Sequence, residues 1–174
     1  TKRSNHQSFS VIRYADDFVV IHKDRTVIEE AKLCIEGWLD NGIGVKLNQT
    51  KTKITHTTKG FDFLGFNVRQ YRVNNSSQLK FLTKPSKDKV KAHTESIRQV
   101  TKTMRAVSTQ TLIDKLNPII TGWSNYYCRA ASKKTLNWCD NQMFLKLWKW
   151  ATRRHNDDHK GKRWIKNKYF KRIG

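Results

Sequence analysis

Two adjacent carboxylates, Asp16 and Asp17, stand between the β-branched and aromatic runs Ser8–Tyr14 and Phe18–His22. That pattern predicts a hairpin with acids at a tight tip. Paired oxygen ligands on a rigid turn suit Mg²⁺, which lies about 2.0–2.1 Å from its ligands and takes one or two protein carboxylates alongside substrate phosphates. Two such ions, roughly 3.5–4 Å apart, can clamp the attacking and leaving oxygens of a phosphoryl transfer. Asp also favours turns for its own sake, so the pair needs its context to decide between the two readings. His155 and His159, four residues apart, could share a metal on a helix. No Cys or acid stands at a spacing that completes the set, and no zinc site is expected.

The other chemistry legible in the chain is polyanion binding. Lys and Arg number 35 against 14 Asp and Glu, a formal net charge of +21 over 174 residues. A compact chain this basic repels itself, which argues for a polyanionic partner and against a plain metabolic enzyme. The charge is uneven: residues 84–174 hold 22 Lys and Arg against 6 acids, while residues 1–83 hold 13 against 8. Apolar residues make up 37% and aromatics 11%, enough for a core. No stretch approaches the roughly 18 consecutive apolar residues of a membrane span, and Thr1–Ser8 is no signal peptide, so no membrane partner is expected. Cys34, Cys128 and Cys139 lie far apart, which suits buried thiols in a reducing compartment and no disulfide framework. The expected location is the cytoplasm of a bacterium or an organelle, not the outside of a cell. Thr1 in the place of Met is expected of a piece of something longer.

The elements that must position these groups divide near Lys84-Pro85. From Thr26 the apolar spacing Val27/Ile28, Ala31, Cys34/Ile35, Trp38/Leu39 marks one face of a helix, with Asn41-Gly42 as its end. Val45–Leu47, Lys53–Thr57, Phe61–Val68 and Leu79–Leu82 read as strands, with a turn at Val73–Ser77. Beyond Pro85 the periodicity is helical over about 87–106, 109–116, 118–130 and 134–154. Ser108, Asn117 and Ser132 occupy N-cap positions, and Pro118 fits a first helical turn. Trp164-Ile165 and Tyr169-Phe170 are expected to dock on the helices. The fold class expected is α+β: residues 1–83 as strands around one helix, residues 84–174 as an all-helical domain.

Tyr14-Ala15-Asp16-Asp17 with its flanking strands resembles the YxDD hairpin of reverse transcriptases, in the YADD form typical of group II intron-encoded enzymes. The resemblance implies that Asp16 and Asp17 are catalytic metal ligands for Mg²⁺, and that Tyr14 and Ala15 lie beside the primer terminus and incoming nucleotide. Val45-Lys46-Leu47-Asn48-Gln49-Thr50-Lys51-Thr52-Lys53-Ile54 is similar to the family's L-x-L-N-P-E-K-T-x-I stretch, with Gln49 and Thr50 in place of Pro and Glu. Lys51 matches a lysine that in related polymerases is a candidate for protonating leaving pyrophosphate; a solvated or phosphate-contacting lysine is the alternative. Phe61-Asp62-Phe63-Leu64-Gly65-Phe66 is similar to the primer-grip strand, which implies primer contacts at Leu64 and Gly65.

Leu116-Asn117-Pro118 followed by Gly122-Trp123-x-Asn125-Tyr126-Tyr127 resembles the maturase-specific domain of the same family, and the likeness runs on to Lys162-Arg163-Trp164. That domain serves as polymerase thumb and grips structured intron RNA. Lys87, Lys91, Arg98, Lys102 and Arg105 are opposed over their stretch only by Asp88 and Glu95, which favours a phosphate-facing helix over a solvated one of mixed sign. Arg129, Lys133, Lys134, Lys146, Lys149, Arg153 and Arg154 are the further RNA candidates. Trp123, Tyr127, Trp138, Trp148 and Trp150 fall at helical spacings and are expected mostly in the core.

The resemblance implies a fragment of a group II intron reverse transcriptase/maturase: residues 1–83 the end of the palm, residues 84–174 thumb and maturase domain. Its partners would be group II intron RNA, an RNA template with DNA primer, and deoxynucleoside triphosphates. The family's third catalytic carboxylate lies upstream of YADD, and residues 1–13 hold no Asp or Glu. The chain alone is therefore expected to be inactive. The alternative is a non-catalytic RNA-binding splicing factor with a vestigial YADD hairpin. A generic DNA-binding module is disfavoured, because no helix-turn-helix or finger spacing is present.

Overall fold

A computed structural model of the protein describes residues 9–72, 78–155 and 160–170. The expected turn at Val73–Ser77 and His159 lie outside the described residues. The fold is α+β, in the order β1 (Ser10–Tyr14), β2 (Asp17–Ile21), α1 (Arg25–Ile43), β3 (Phe61–Phe63), β4 (Phe66–Arg72), β5 (Leu79–Pro85), α2 (Lys87–Thr103), α3 (Thr109–Tyr127), α4 (Lys133–Arg154) and α5 (Lys162–Tyr169). The chain forms two compact units, Thr1–His56 and Thr57–Gly174.

In the first unit, β1 and β2 pair antiparallel from Ser10↔Ile21 to Tyr14↔Asp17, which leaves Ala15-Asp16 as the loop. Asp24 caps α1 by accepting from the Thr26 backbone N–H and hydroxyl, and these two bonds hold its carboxyl below the usual range. The helix passes through Asn41-Gly42 and stops at Gly44, whose φ of 66° supplies the left-handed cap one turn fragment later than the sequence suggests. Val45–Leu47 and Lys53–Thr57 are not strands. Asn48 instead folds this stretch into a turn, its side-chain oxygen accepting from Thr50 N–H, Thr50 Oγ1 and Lys51 N–H. Among the described residues of this unit none is buried, and Val11 is 63% exposed.

The second unit carries the core. β3, β4 and β5 form an antiparallel sheet in that order. Phe61–Val68 is thus two strands and a turn, not one strand, with Phe63 opposite Phe66. The helical segment packs Ile97, Leu112, Leu116, Trp150, Ala151 and Ile165 into one buried cluster, with Tyr169 and Phe170 against it, so the C-terminal aromatics do dock. Ser86 and Ser108 cap α2 and α3 by accepting from the N–H groups of Lys89 and Thr111. Residues 109–127 form one helix with Pro118 and Asn117 inside it, where two helices were expected. Ser132 precedes α4 but donates to the Tyr127 carbonyl at 2.8 Å and makes no side-chain cap.

The boundary between units falls upstream of the compositional change at Lys84-Pro85. The reason is the fastening of the sheet to the helices, through Ala131 N–H on the Thr83 carbonyl at 2.9 Å and through the Leu64-Gly65 turn.

Candidate functional site

The hairpin tip is built by backbone geometry that its sequence does not favour. Ala15 has a φ of 51°, a left-handed conformation that costs a non-glycine residue about 1–2 kcal/mol. Arg13 offsets part of that cost by donating from Nε to the Ala15 carbonyl at 3.0 Å. Asp16 sits in the two-residue loop and Asp17 opens β2, both exposed, with Tyr14 exposed opposite Asp17. The tip therefore offers two consecutive carboxylates to solvent on a tightly turned backbone.

Also in the first unit, the stretch bearing Lys51 is tied to α1. Gln49 accepts from Lys32 Nζ at 3.2 Å and donates to Glu36 Oε1 at 2.6 Å, while Lys32 and Glu36 form an ion pair at 3.6 Å. The amide thus supplies by hydrogen bonding a rigidity that proline would supply by its ring. Lys51 itself is exposed.

In the second unit, the Leu64-Gly65 turn has φ values of 49° and 80°, the double left-handed geometry of a type I′ hairpin. Leucine is a poor residue for this turn, and tertiary bonds hold it. Tyr126 donates to the Leu64 carbonyl at 2.9 Å, Tyr127 to the Gly65 carbonyl at 3.1 Å, and Ser86 N–H reaches the same Gly65 oxygen at 2.9 Å. Burial pushes the Tyr127 phenol up, which keeps it a donor. A Cβ on Gly65 would meet the Tyr127 hydroxyl at 2.9 Å, so the position needs glycine for space and for φ. Phe66 packs on both tyrosines, with centroids 5.2 and 4.9 Å away. Behind them, Trp123 stacks on buried His93 at 4.4 Å. A shallow apolar depression of 230 Å³ lies beside the turn, lined by Phe63, Leu64, Phe66, Val68 and Thr83.

Burial lowers the His93 imidazole below its ordinary 6.5. A depressed histidine stabilises the fold while it is neutral in both states, above about pH 6.5, and that stability is lost as pH falls through the folded value. The melting temperature should therefore drop between about pH 7.5 and pH 5. His93→Phe, which keeps a ring on Trp123, should flatten that dependence; equal slopes in parent and variant would show that His93 does not report acidity.

The basic candidates of the second unit separate by what they touch. Lys87, Lys91, Lys102, Arg105, Arg129, Lys133, Lys134, Lys149 and Arg153 are exposed. Arg98 is committed to Glu95 by bonds of 2.7 and 2.8 Å. Arg98 and then Gln99 hold the Glu95 carboxyl at about 2. Arg105 donates through Nε to the Lys102 carbonyl. Lys146 is half-buried, close enough to Glu95 and Cys139 to influence both. Arg154 is engaged within the fold: its guanidinium donates to the Arg105 and Val107 carbonyls and lies 5.0 Å from the Trp150 ring centre.

Other expectations change with the geometry. Trp150 and Tyr127 are buried as expected, whereas Trp138 is 48% exposed. Cys139 is buried and its thiol pushed up by that burial, but Cys34 and Cys128 are exposed, and all three are free. Among the described residues no three His, Cys, Asp or Glu gather as a metal set, and no helix is long and apolar enough to cross a membrane. The bond from Trp150 Nε1 to the Met104 carbonyl at 2.7 Å, like the Tyr126 and Tyr127 bonds, joins residues too distant in sequence for periodicity to reveal.

An antiparallel hairpin with two acids at its tip, followed by a helical unit dense in exposed lysine and arginine, has the make-up of a protein that meets nucleic acid. The comparisons agree with that class. Reverse transcriptase (RNA-dependent DNA polymerase) matches residues 2–68, and group II intron, maturase-specific domain, matches residues 90–170. The chain belongs to the group II intron reverse transcriptase/maturase family. It is also similar to Protein YkfC of Escherichia coli (strain K12), 41% identical over 61 residues that make up 34% of this chain. The match spans only 16% of that relative's length.

Proposed function

We propose that this chain carries the catalytic hairpin and the RNA-gripping domain of an RNA-directed DNA polymerase that also binds group II intron RNA and assists its splicing and mobility. The observation that carries the polymerase part is the pair of exposed, consecutive carboxylates on a two-residue hairpin loop. Asp16 and Asp17 fit Mg²⁺ in kind, since it takes one or two carboxylates and fills its sphere with phosphate and water oxygens. When bound there, the metal supplies charge neutralisation for phosphoryl transfer to a primer end. The protein's own contribution is to hold both acids on a strained, rigid turn beside Tyr14 and Ala15, with Lys51 available to an outgoing phosphate. Leu64 and Gly65 offer a backbone turn of fixed shape for a primer strand.

The functional division we favour is palm for residues 1–83 and thumb with maturase surface for residues 84–174. Lys133 and Lys134 occupy the first turn of α4, where the helix dipole disfavours cations and where no side-chain cap is made. An anionic partner relieves that local cost.

The test is RNA binding across a salt series. Log K should fall linearly with log salt, at about −0.7 per phosphate neutralised on single strands and about −0.9 on B-DNA. Changing Lys133, Lys134, Lys149 and Arg153 together to Ala should flatten the slope and narrow any preference for a folded intron RNA over its scrambled sequence. An unchanged slope places the binding face on α2 instead. Equal affinity of the parent for folded and scrambled RNA reduces the activity to nonspecific polyanion binding.

A further inference from the structure

Helix α4 turns one long face to solvent. Lys134, Trp138, Leu145, Lys149 and Arg153 recur on it at spacings of four, seven, four and four, and all five are exposed. At 1.5 Å rise per residue this face runs about 28 Å. The one acid of α4, Asp140, lies off this row, and none of Lys134, Lys149 and Arg153 takes part in a salt bridge among the described residues.

Trp138 stands out among the tryptophans of this unit. Trp123 stacks on His93, Trp148 lies against Phe144 and Phe170, Trp150 against Tyr169 and Arg154, and Trp164 between His155 and two lysines. Among the described residues, Trp138 has no ring or cation partner, and nearly half of it is open to water. An indole left so exposed, in a row of free cations, has the two ingredients of single-strand recognition: a flat π surface for a base and charge for the phosphates on either side. A protein partner would be met by this face with unpaired positive charge at both ends.

We propose that Trp138 is a stacking platform for an unpaired RNA base, with Lys134 holding the adjacent phosphate and Lys149 a phosphate farther along the strand. The assignment rests on the RNA-binding reading above and adds to it: α4 reads strand state as well as charge. Any base can stack, so the site selects loops, bulges and single-stranded junctions over continuous duplex without selecting a sequence.

The full chain can be tested with two RNAs of equal length, a stem-loop with a purine-rich unpaired loop and a blunt duplex, over a KCl series by fluorescence anisotropy. Trp138→Ala should weaken the stem-loop by roughly 5- to 100-fold, leave the duplex nearly unchanged and keep the salt slope, because no charge is removed. Trp138→Phe should restore most of the loss, since a smaller ring still stacks. The Lys133, Lys134, Lys149 and Arg153 variant should weaken both RNAs and flatten the slope. Unchanged stem-loop affinity in Trp138→Ala, or an equal loss on both RNAs, overturns the platform while the charged face stands. Loss of self-association in Trp138→Ala, read by sedimentation, overturns it in favour of a second copy of the chain. If the four-charge variant binds both RNAs as the parent does, the binding face lies on α2 and the platform on α4 is overturned; a parent chain that binds neither RNA overturns the RNA-binding reading itself.

Discussion

In a polypeptide that completes the palm, Asp16→Asn should lower primer extension by about a thousand-fold or more, with RNA binding by residues 84–174 little changed. The substitution keeps the shape of the hairpin loop and removes one negative charge from the tip. Electrostatic stabilisation of the developing charge is commonly the largest catalytic contribution, and about 10²–10³ in rate follows from losing a single donor at such a site. A ligand to a catalytic metal ion should cost more, since both the ion and its alignment of the reacting oxygens depend on it. The strained φ of Ala15 points the same way, because a turn held in a costly conformation by Arg13 fixes the direction of its acids. Normal extension by Asp16→Asn, with Mg²⁺ as the sole divalent ion, sinks the assignment of the hairpin.

The largest stability loss is expected at Trp150. Its ring is buried among Ile97, Leu112, Leu116 and Ile165, its indole N–H donates to the Met104 carbonyl at the end of α2, and Arg154 covers its face while holding the Arg105 and Val107 carbonyls of the following loop. Trp150→Ala removes core volume and unlatches the loop between α2 and α3. Large-to-small substitution of a buried Trp costs about 3–5 kcal/mol. For a chain of this length that lowers the melting temperature on the order of 10 °C. Trp150→Phe keeps most of the packing and orphans the carbonyl, for a loss of about 1–3 kcal/mol. Thermal melts of the two variants should rank in that order. A drop below about 3 °C for Trp150→Ala contradicts the latch.

The hairpin, the α1 helix and the helical second half were legible because each is a local pattern; the apolar face of α1 was not borne out as a buried one, since Cys34 and Trp38 on it are exposed. Paired β-branched runs, 3.6-residue spacing and serine caps act within a few residues of themselves. What failed were positions where a distant contact outweighs a local preference. Pro118 costs a helix interior about 3 kcal/mol or more. Yet Leu112, Leu116, Ile120, Trp123 and Tyr127 keep one continuous stripe through it, and burying that stripe holds 109–127 as a single helix. Val45–Leu47 has the composition of a strand, but no neighbouring strand pairs with it among the described residues, and Asn48 and Gln49 organise the segment by side-chain bonds. Leu64-Gly65 lacks the Asn-Gly signature of a type I′ turn, because two tyrosines some sixty residues later hold it. For the site, the residue types that do chemistry could be read from sequence. Which arginines are already engaged could not: nothing in the spacing distinguishes Arg154, spent on two carbonyls, from Arg153 beside it. Periodicity placed Trp138 on a helix but could not say which face of α4 meets the core.

The pair of hydroxyls on the Leu64-Gly65 turn has a consequence for how this family can be recombined. The turn lies within the reverse transcriptase match at residues 2–68, and Tyr126 and Tyr127 lie within the maturase match at residues 90–170. The seam between the two homologous modules is therefore not a seam in the molecule. A chimera spliced in the interval between them, joining the polymerase portion of one member to the maturase portion of another, inherits a left-handed leucine turn from one parent and the groups that hold it from the other. Such grafts should fold well only when both tyrosines travel with the turn they grip.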